Sequence, residues 1–269
     1  MKFGIFVHPK RPKASVEQVA GKLQSAGLLY SPSAPGVAII VGGDGTFGYY
    51  GRILTVPMLF VGVKESDILG SRARLAETMY DCLDKALHDI DTGKYWIIKK
   101  RMLSVNFGDQ NSDVLTDVYL ERGEYAGCIR YTIEVNKGSS SFKEYSIGNG
   151  VIVSTSYGSG GYFSYPNRLK EKELGLNSNF MRFSDNSLGI CHIIPTYLIR
   201  EKRNGNRRLT SKIRYTVPID CQIQIKLVRD SNVRLYGTTD DSKGKQVTLN
   251  DNIKISVSKR IARIIKLKA

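Results

Sequence analysis

The spacing of apolar residues changes character part-way along this chain. Over the first ninety residues, short unbroken apolar runs alternate with stretches of helical spacing. Residues 2–7, 37–41 and 57–63 read as strands, because unbroken branched runs mark strands buried on both faces of a parallel sheet. Between the first two, Ser15-Val16-Glu17-Gln18 is a capping-box pattern. Val16, Val19, Ala20 and Leu23 then form one helical face that ends near Gly27. A further helix is predicted to carry Leu75, Met79, Leu83, Leu87 and Ile90 inward and to close at Thr92-Gly93. Strands separated by helices predict a parallel sheet with right-handed crossovers.

After Trp96 the period becomes two. Ile129, Tyr131, Ile133 and Val135 alternate with Arg130, Thr132 and Glu134, and Ile223, Ile225 and Leu227 with Gln222, Gln224 and Lys226. Ile253-Lys254-Ile255-Ser256-Val257 repeats the habit. Such runs predict antiparallel strands with one wet face. The expected fold class is an α/β N-terminal domain with a parallel sheet, residues 1–95, followed by a larger β-rich C-terminal domain, residues 96–257. Packing of 258–269 back onto the first domain is left open. A cleft between two such domains is a natural place for a ligand.

Composition adds boundaries. The 269 residues are 41% hydrophobic and 24% charged, ordinary for a soluble globular chain, and no apolar run approaches a bilayer span. Cys82, Cys128, Cys191 and Cys221 are scattered without paired spacing, so metal-finger and disulfide frameworks are excluded and a reducing cytoplasm is the expectation. His8, His88 and His192 make no ligand pattern and are read as structural. The formal charge is +15, and residues 197–269 hold 18 Lys+Arg against 6 Asp+Glu, a surplus of 12. The cluster over 200–208 is read first as a solvated loop, second as a device steering anionic ligands, and only third as a nucleic-acid surface.

Two glycine-rich loops carry the candidate chemistry. The second strand runs into Gly42-Gly43-Asp44-Gly45-Thr46-Phe47. Glycines there permit positive φ and leave backbone N–H groups bare for phosphate oxygens. Asp44, at the carboxyl end of a buried strand, can hold Mg²⁺ or take a proton from an attacking hydroxyl; the alternative is a tight turn whose Asp44 bonds to nearby amides. Later, Gly148-Asn149-Gly150-Val151-Ile152-Val153 leads into Ser154-Thr155-Ser156-Tyr157-Gly158-Ser159-Gly160-Gly161-Tyr162, a loop able to offer hydroxyls and backbone groups.

In this order the two loops resemble the NAD kinase family over nearly the whole chain. Gly42-Gly43-Asp44-Gly45-Thr46 matches the family's phosphate motif, and 57–63 looks like its next strand. Leu115-Thr116-Asp117-Val118 sits where the family has Leu-Asn-Glu/Asp-Val, and Val153-Ser154-Thr155 through Gly158-Ser159 to Tyr162 at its substrate loop. Diacylglycerol and sphingosine kinases and phosphofructokinases share Gly-Gly-Asp-Gly but not this later order. The chain also departs from the family. Thr116 replaces Asn, Asn149 replaces Asp, Gly160-Gly161 replaces Thr-Ala, Tyr165 stands for a small polar residue, and Tyr236-Gly237 replaces Asp-Gly.

The resemblance implies a cytoplasmic, homo-oligomeric kinase moving the terminal phosphoryl of ATP or polyphosphate onto the 2′-hydroxyl of the adenosine ribose of NAD, with Mg²⁺ accompanying the nucleotide. It implies Asp44 as the catalytic residue and Gly42, Gly43, Gly45 and Thr46 at the phosphates. Phe47, Thr116, Asp117, Asn149, Thr155, Tyr157, Ser159, Gly160 and Tyr162 fall to the NAD site. A kinase of the same fold with another nucleoside or lipid acceptor, a non-catalytic nucleotide-binding homologue, and a nucleic-acid binder remain alternatives.

If the basic cluster steers anions, the association rate of an anionic nucleotide falls as salt rises. Replacing Arg203, Arg207 and Arg208 by Ser is expected to flatten that dependence in stopped-flow measurements. Unchanged salt sensitivity would leave the cluster as a solvated loop.

Overall fold

The computed structural model describes residues 1–10, 12–63, 73–124, 127–138, 141–167, 182–202, 204–238 and 243–268. Two compact units emerge: residues 1–100 with 261–269, and residues 101–260.

In the first unit, β1 (Lys2–Val7), β2 (Leu29–Tyr30), β3 (Val37–Gly42), β4 (Met58–Gly62) and β5 (Thr78–Met79) pair in parallel. β3 and β4 are buried at every residue, as unbroken apolar runs require. Helix α1 (Val16–Ser25) starts on the predicted box: the Ser15 hydroxyl accepts from the Gln18 amide at 3.1 Å, and the Gln18 side chain accepts from the Ser15 amide at 2.9 Å. Val19 and Leu23 are its buried residues, and Gly27 has φ +70°. Helix α2 (Asp44–Ile53) follows β3 directly.

The next helix, α3 (Leu83–Asp91), buries Leu83, Leu87 and Ile90 and ends at Thr92-Gly93 as predicted, but it begins later than its spacing suggested. Met79 belongs to β5, which pairs with Val61 and Gly62 of β4, and Leu75 precedes that strand. Backbone pairing with an open sheet edge overrides the helical spacing there.

The second unit is antiparallel. One sheet contains β7 (Gln110–Val114) paired to the end of β6 (Tyr95–Phe107), and β9 (Ile129–Asn136), β10 (Phe142–Gly148), β13 (Tyr197–Lys202), β14 (Arg207–Leu209) and β16 (Gln222–Leu227), in order β14-β13-β10-β9-β16. The other runs β15-β12-β11-β8-β17-β18, with β8 (Asp117–Arg122), β11 (Gly150–Ser154), β12 (Ser187–Ile193), β15 (Arg214–Pro218), β17 (Val233–Tyr236) and β18 (Lys245–Val247). Apolar residues from both sheets, among them Leu120, Ile133, Val151, Ile190, Ile223 and Leu235, form one core. The last strand, β19 (Ile253–Leu267), pairs Ile253 and Ile255 with β16 in this unit. Its later residues belong to the first unit, where Ile264 pairs in parallel with Met58 and Ile265 is fully buried. There Lys266 binds Glu77, and the Leu267 amide donates to the same carboxylate at 2.8 Å.

A charged cluster lies inside the second unit's core. Glu144 on β10 is fully buried and accepts from Arg200 Nε at 2.8 Å, from the Tyr215 hydroxyl, and contacts His192 Nε2 at 2.9 Å. His192 Nδ1 lies 2.8 Å from the Tyr131 hydroxyl, which donates to the Gly150 carbonyl at 2.6 Å. Burial would raise the Glu144 carboxyl, but His192, Arg200 and Tyr215 outweigh it and hold it below the usual range. The basic stretch is thus no simple loop: Arg200 is turned inward, Arg207 binds Glu201 at 2.6 Å on the β13–β14 hairpin, and Arg203 lies outside the described residues.

Removing one partner of a buried ionic cluster costs about 3–5 kcal/mol. Glu144→Ala is expected to lose that much in urea unfolding. A depressed carboxyl contributes stability that is complete above its unfolded pKa and is lost as pH falls through the folded value. Wild-type Tm is therefore expected to drop below about pH 4.5, with Glu144→Gln flattening that drop.

Candidate functional site

The first loop is a strand-to-helix turn. Gly42 ends β3 with φ +155°, and a β-carbon there would fall 2.6 Å from Thr46 Oγ1, so only glycine lets the strand turn against the helix. Gly43 is the N-cap of α2, in extended conformation and without a side-chain cap bond. The first-turn N–H groups therefore carry no side-chain cap from Gly43 and form the positive end of the helix dipole. Gly45 is exposed, and a β-carbon there would meet nothing within 4 Å, so the protein's own packing does not require glycine at that position.

Asp44 sits in the first turn of α2, half-buried, and its Oδ1 accepts from the Leu75 amide at 2.9 Å. This is the amide contact that the plain-turn alternative anticipates, and it also fixes the carboxylate's orientation. Thr46 is buried against Gly42. Phe47 has no exposed surface and stacks on Phe60, with centroids 4.5 Å apart and planes at 4°. Expected among the dinucleotide contacts, this ring is placed in the core under the turn.

The second loop is built on β11 and the neighbouring β8, within the other unit. Val118 and Leu120 of β8 face the core, while Asp117, Tyr119 and Glu121 share the opposite face, as strand alternation dictates. Ser154 ends β11 opposite Asp117, and two short 3₁₀ turns follow, Tyr157–Gly160 and Tyr162–Ser164. The Thr155 hydroxyl lies 2.8 Å from the Leu115 carbonyl and 3.0 Å from that of Thr116, and accepts from the Gly158 amide. Ser159 donates to the Ser156 carbonyl at 2.7 Å, and both Thr155 and Ser159 are buried. Both residues, expected to shape a dinucleotide pocket, use their hydroxyl protons within the loop itself.

The remaining positions divide. Thr116 contributes its carbonyl to the loop, receiving the Thr155 amide at 2.8 Å. Gly160 has open space where a side chain would stand, and a β-carbon at Gly161 would lie 3.6 Å from Asp117 Oδ2. Tyr157 is half-buried in the first turn. Asn149 is separated from Thr155 by all five residues of β11, roughly 20 Å, and lies at the Glu121 end.

Three residues join this face beyond those expected from sequence. Tyr119 stacks on Tyr236 of β17 at 5.1 Å and meets the Tyr162 ring edge-on at 5.3 Å. The Tyr162 hydroxyl donates to Glu121 at 3.2 Å. Burial first, then Asp117 and Glu121, push the Tyr119 hydroxyl up to about 12, and burial and Glu121 raise that of Tyr162. The alternation Asp117-x-Tyr119-x-Glu121 was the available signal for Tyr119 and Glu121. Gly237 follows Tyr236 at φ +91°, where a β-carbon would fall 2.6 Å from the Asp117 carbonyl, so glycine is needed to bring β17 this close.

No protein-family model matches the sequence, and no curated protein does. Solved structures do match. A yeast NADH kinase in complex with NADH aligns with a TM-score of 0.69 at 12% identity, over 98% of this chain and 83% of its own. An NAD kinase from Archaeoglobus fulgidus in complex with ATP aligns with a TM-score of 0.66 at 15% identity, over 100% of this chain and 94% of its own. The chain has the fold of these kinases, with an α/β region of parallel strands and a larger antiparallel part.

Gly42→Ala places a methyl group against Thr46 at a φ that side chains rarely adopt. Expected is a loss of about 1–3 kcal/mol in chemical denaturation. Gly45→Ala, on the open side of the same helix, is expected to be neutral or slightly stabilising.

Proposed function

We propose that this chain, on its NAD-kinase fold, transfers the terminal phosphoryl of ATP or polyphosphate to the 2′-hydroxyl of the adenosine ribose of NAD, giving NADP. The observation that carries this is the turn from β3 into α2: a glycine N-cap without a side-chain cap bond, followed at once by Asp44 with its carboxylate oriented by the Leu75 amide. Backbone N–H groups at Gly43 and Gly45 hold phosphate oxygens, and Thr46 supports the turn through its packing on Gly42. Asp44 orients the ribose hydroxyl and takes its proton. The ribose oxygen bonds to the γ-phosphorus, the bond from that phosphorus to the β,γ-bridging oxygen breaks, and ADP departs when ATP is the donor. Positioning and charge neutralisation account for most of such a reaction.

Among the described residues no group of three or more His, Cys, Asp or Glu is arranged to hold a metal ion. We take Mg²⁺ to arrive with the nucleotide, since this ion is commonly held by phosphates and one or two carboxylates. Asp44 would be the carboxylate that holds it, and the ion would supply charge neutralisation on the phosphates. Asp117 and the loop around Gly160 take the acceptor dinucleotide, in a cytoplasmic homo-oligomer. The inward hydroxyls of Thr155 and Ser159 favour a second reading, the same phosphoryl transfer to a different nucleoside acceptor.

Purified protein incubated with ATP, Mg²⁺ and a panel of nucleotide acceptors tests both. NADP is the expected product, and Asp44→Asn is expected to lower turnover by about 10²–10⁴ with the thermal midpoint little changed. Near-normal turnover in that variant would make Asp44 a turn residue only. Product from another acceptor and none from NAD would favour the second reading.

A further inference from the structure

The larger sheet of the second unit has an outer face with an ordered pattern of charge. On β10, Glu144 and Ser146 are buried, so Lys143, Tyr145 and Ile147 share the opposite face, as strand alternation requires. Register puts Lys143 between Glu201 of β13 and Glu134 of β9, and Glu201 beside Arg207 of β14. Arg207, Glu201, Lys143 and Glu134 thus form one row across four strands, alternating in sign. Arg207 binds Glu201 at 2.6 Å and Lys143 binds Glu134 at 2.7 Å. Their side chains are 24% to 63% exposed, so the row stays within reach of a partner.

The next two rows on this face are mostly apolar. Tyr145 lies between Ile199 and Thr132, with Leu209 beyond Ile199, and Ile147 lies beside Tyr197. Leu209 is 71% and Tyr197 45% exposed, while Ile199, Tyr145 and Ile147 are half-buried. Covering such a surface removes apolar area from water.

A row that reads plus, minus, plus, minus is its own complement when reversed end to end. A partner of uniform charge would meet two like charges in this row. A second copy of the chain meets none. Laid face to face about a twofold axis along the strands, between β13 and β10, each Arg207 faces the other copy's Glu134 and each Glu201 its Lys143. The same rotation sets Ile199 against Tyr145, Tyr197 against Ile147, and Leu209 against Thr132. Two aligned sheets about 10 Å apart, joined by one self-complementary patch, form an ordinary sandwich.

We infer that this chain self-associates through the outer face of β14-β13-β10-β9 as a twofold dimer whose register is fixed by the alternating charge row. The inference names the surface behind the homo-oligomer of the proposed function. It takes nothing from the phosphoryl-transfer reading, and its test reads mass, not turnover.

Sedimentation velocity on the full chain provides that test. Wild type is expected to sediment as a dimer at micromolar concentration, and more weakly so as salt rises. Arg207→Glu with Glu201→Arg keeps the bridge within one copy but sets like charges against each other across the axis. Lys143→Glu with Glu134→Lys does the same. Each double variant is expected to raise the dimer Kd roughly hundredfold or more, the scale of like charges juxtaposed at an interface. An equal mixture of the two is expected to restore the dimer, because each then presents the complement of the other. If a double variant loses its native circular dichroism, Tyr145→Ala takes its place, with an expected rise in Kd of about tenfold or more. A monomeric wild type would overturn the inference and the homo-oligomer with it, leaving the kinase reading standing. A dimer that the variants leave intact, or monomeric double variants that the mixture does not rescue, would overturn the inference alone.

Discussion

A carboxylate fully removed from water ties the two sheets of the second unit together. Glu144 on β10 reaches across to His192 on β12 and Tyr215 on β15, while Arg200 approaches from its own sheet. An unpaired charge at that depth would cost several kcal/mol, so each partner must stay in place. The constraint passes on through His192 and the Tyr131 hydroxyl to the Gly150 carbonyl, where β11 begins. Since β11 leads into the loop at Thr155, the position of that loop depends on a polar cluster far from its own sequence. Tyr165 adds a second tie, donating to the His192 carbonyl at 2.7 Å and accepting from the Ile194 amide at 3.0 Å.

Much of the fold was legible because its signals are local. The capping box at Ser15, the buried runs of β3 and β4, and the alternation of β9 and β16 each follow from neighbouring residues. The start of α3 was not legible, because Thr78 and Met79 answer to a neighbouring strand and not to their own spacing. In the candidate site the backbone was easier to read than the side chains. The sequence marks where glycines turn the chain, but it cannot say whether a hydroxyl faces a ligand or a carbonyl of its own loop. Thr155 and Ser159 face inward for that reason, and Phe47 does so because β4 places Phe60 beneath it. His192 was read as structural; its 2.9 Å contact with Glu144 shows what that structural part is.

The substituted positions make more sense in this light. Thr116 contributes its carbonyl to the loop, a function any side chain leaves available. Tyr236 stands where the resemblance expects an acid, and it brings a ring to the same face as Tyr119. An acid is replaced by an aromatic surface that is still bordered by Asp117 and Glu121.

The course of β19 sets the order in which the molecule can be completed during synthesis. Its residues 261–267 close the first unit at Met58 and Glu77, yet the ribosome makes them only after all of residues 101–260. At about 5–20 residues per second, strand β4 waits on the order of ten to forty seconds with part of its edge unpaired. An unpaired edge is a template for pairing with any other extended chain. The nascent protein thus passes through an interval in which its first unit is made but unsealed, and that interval lengthens wherever translation pauses within the second unit.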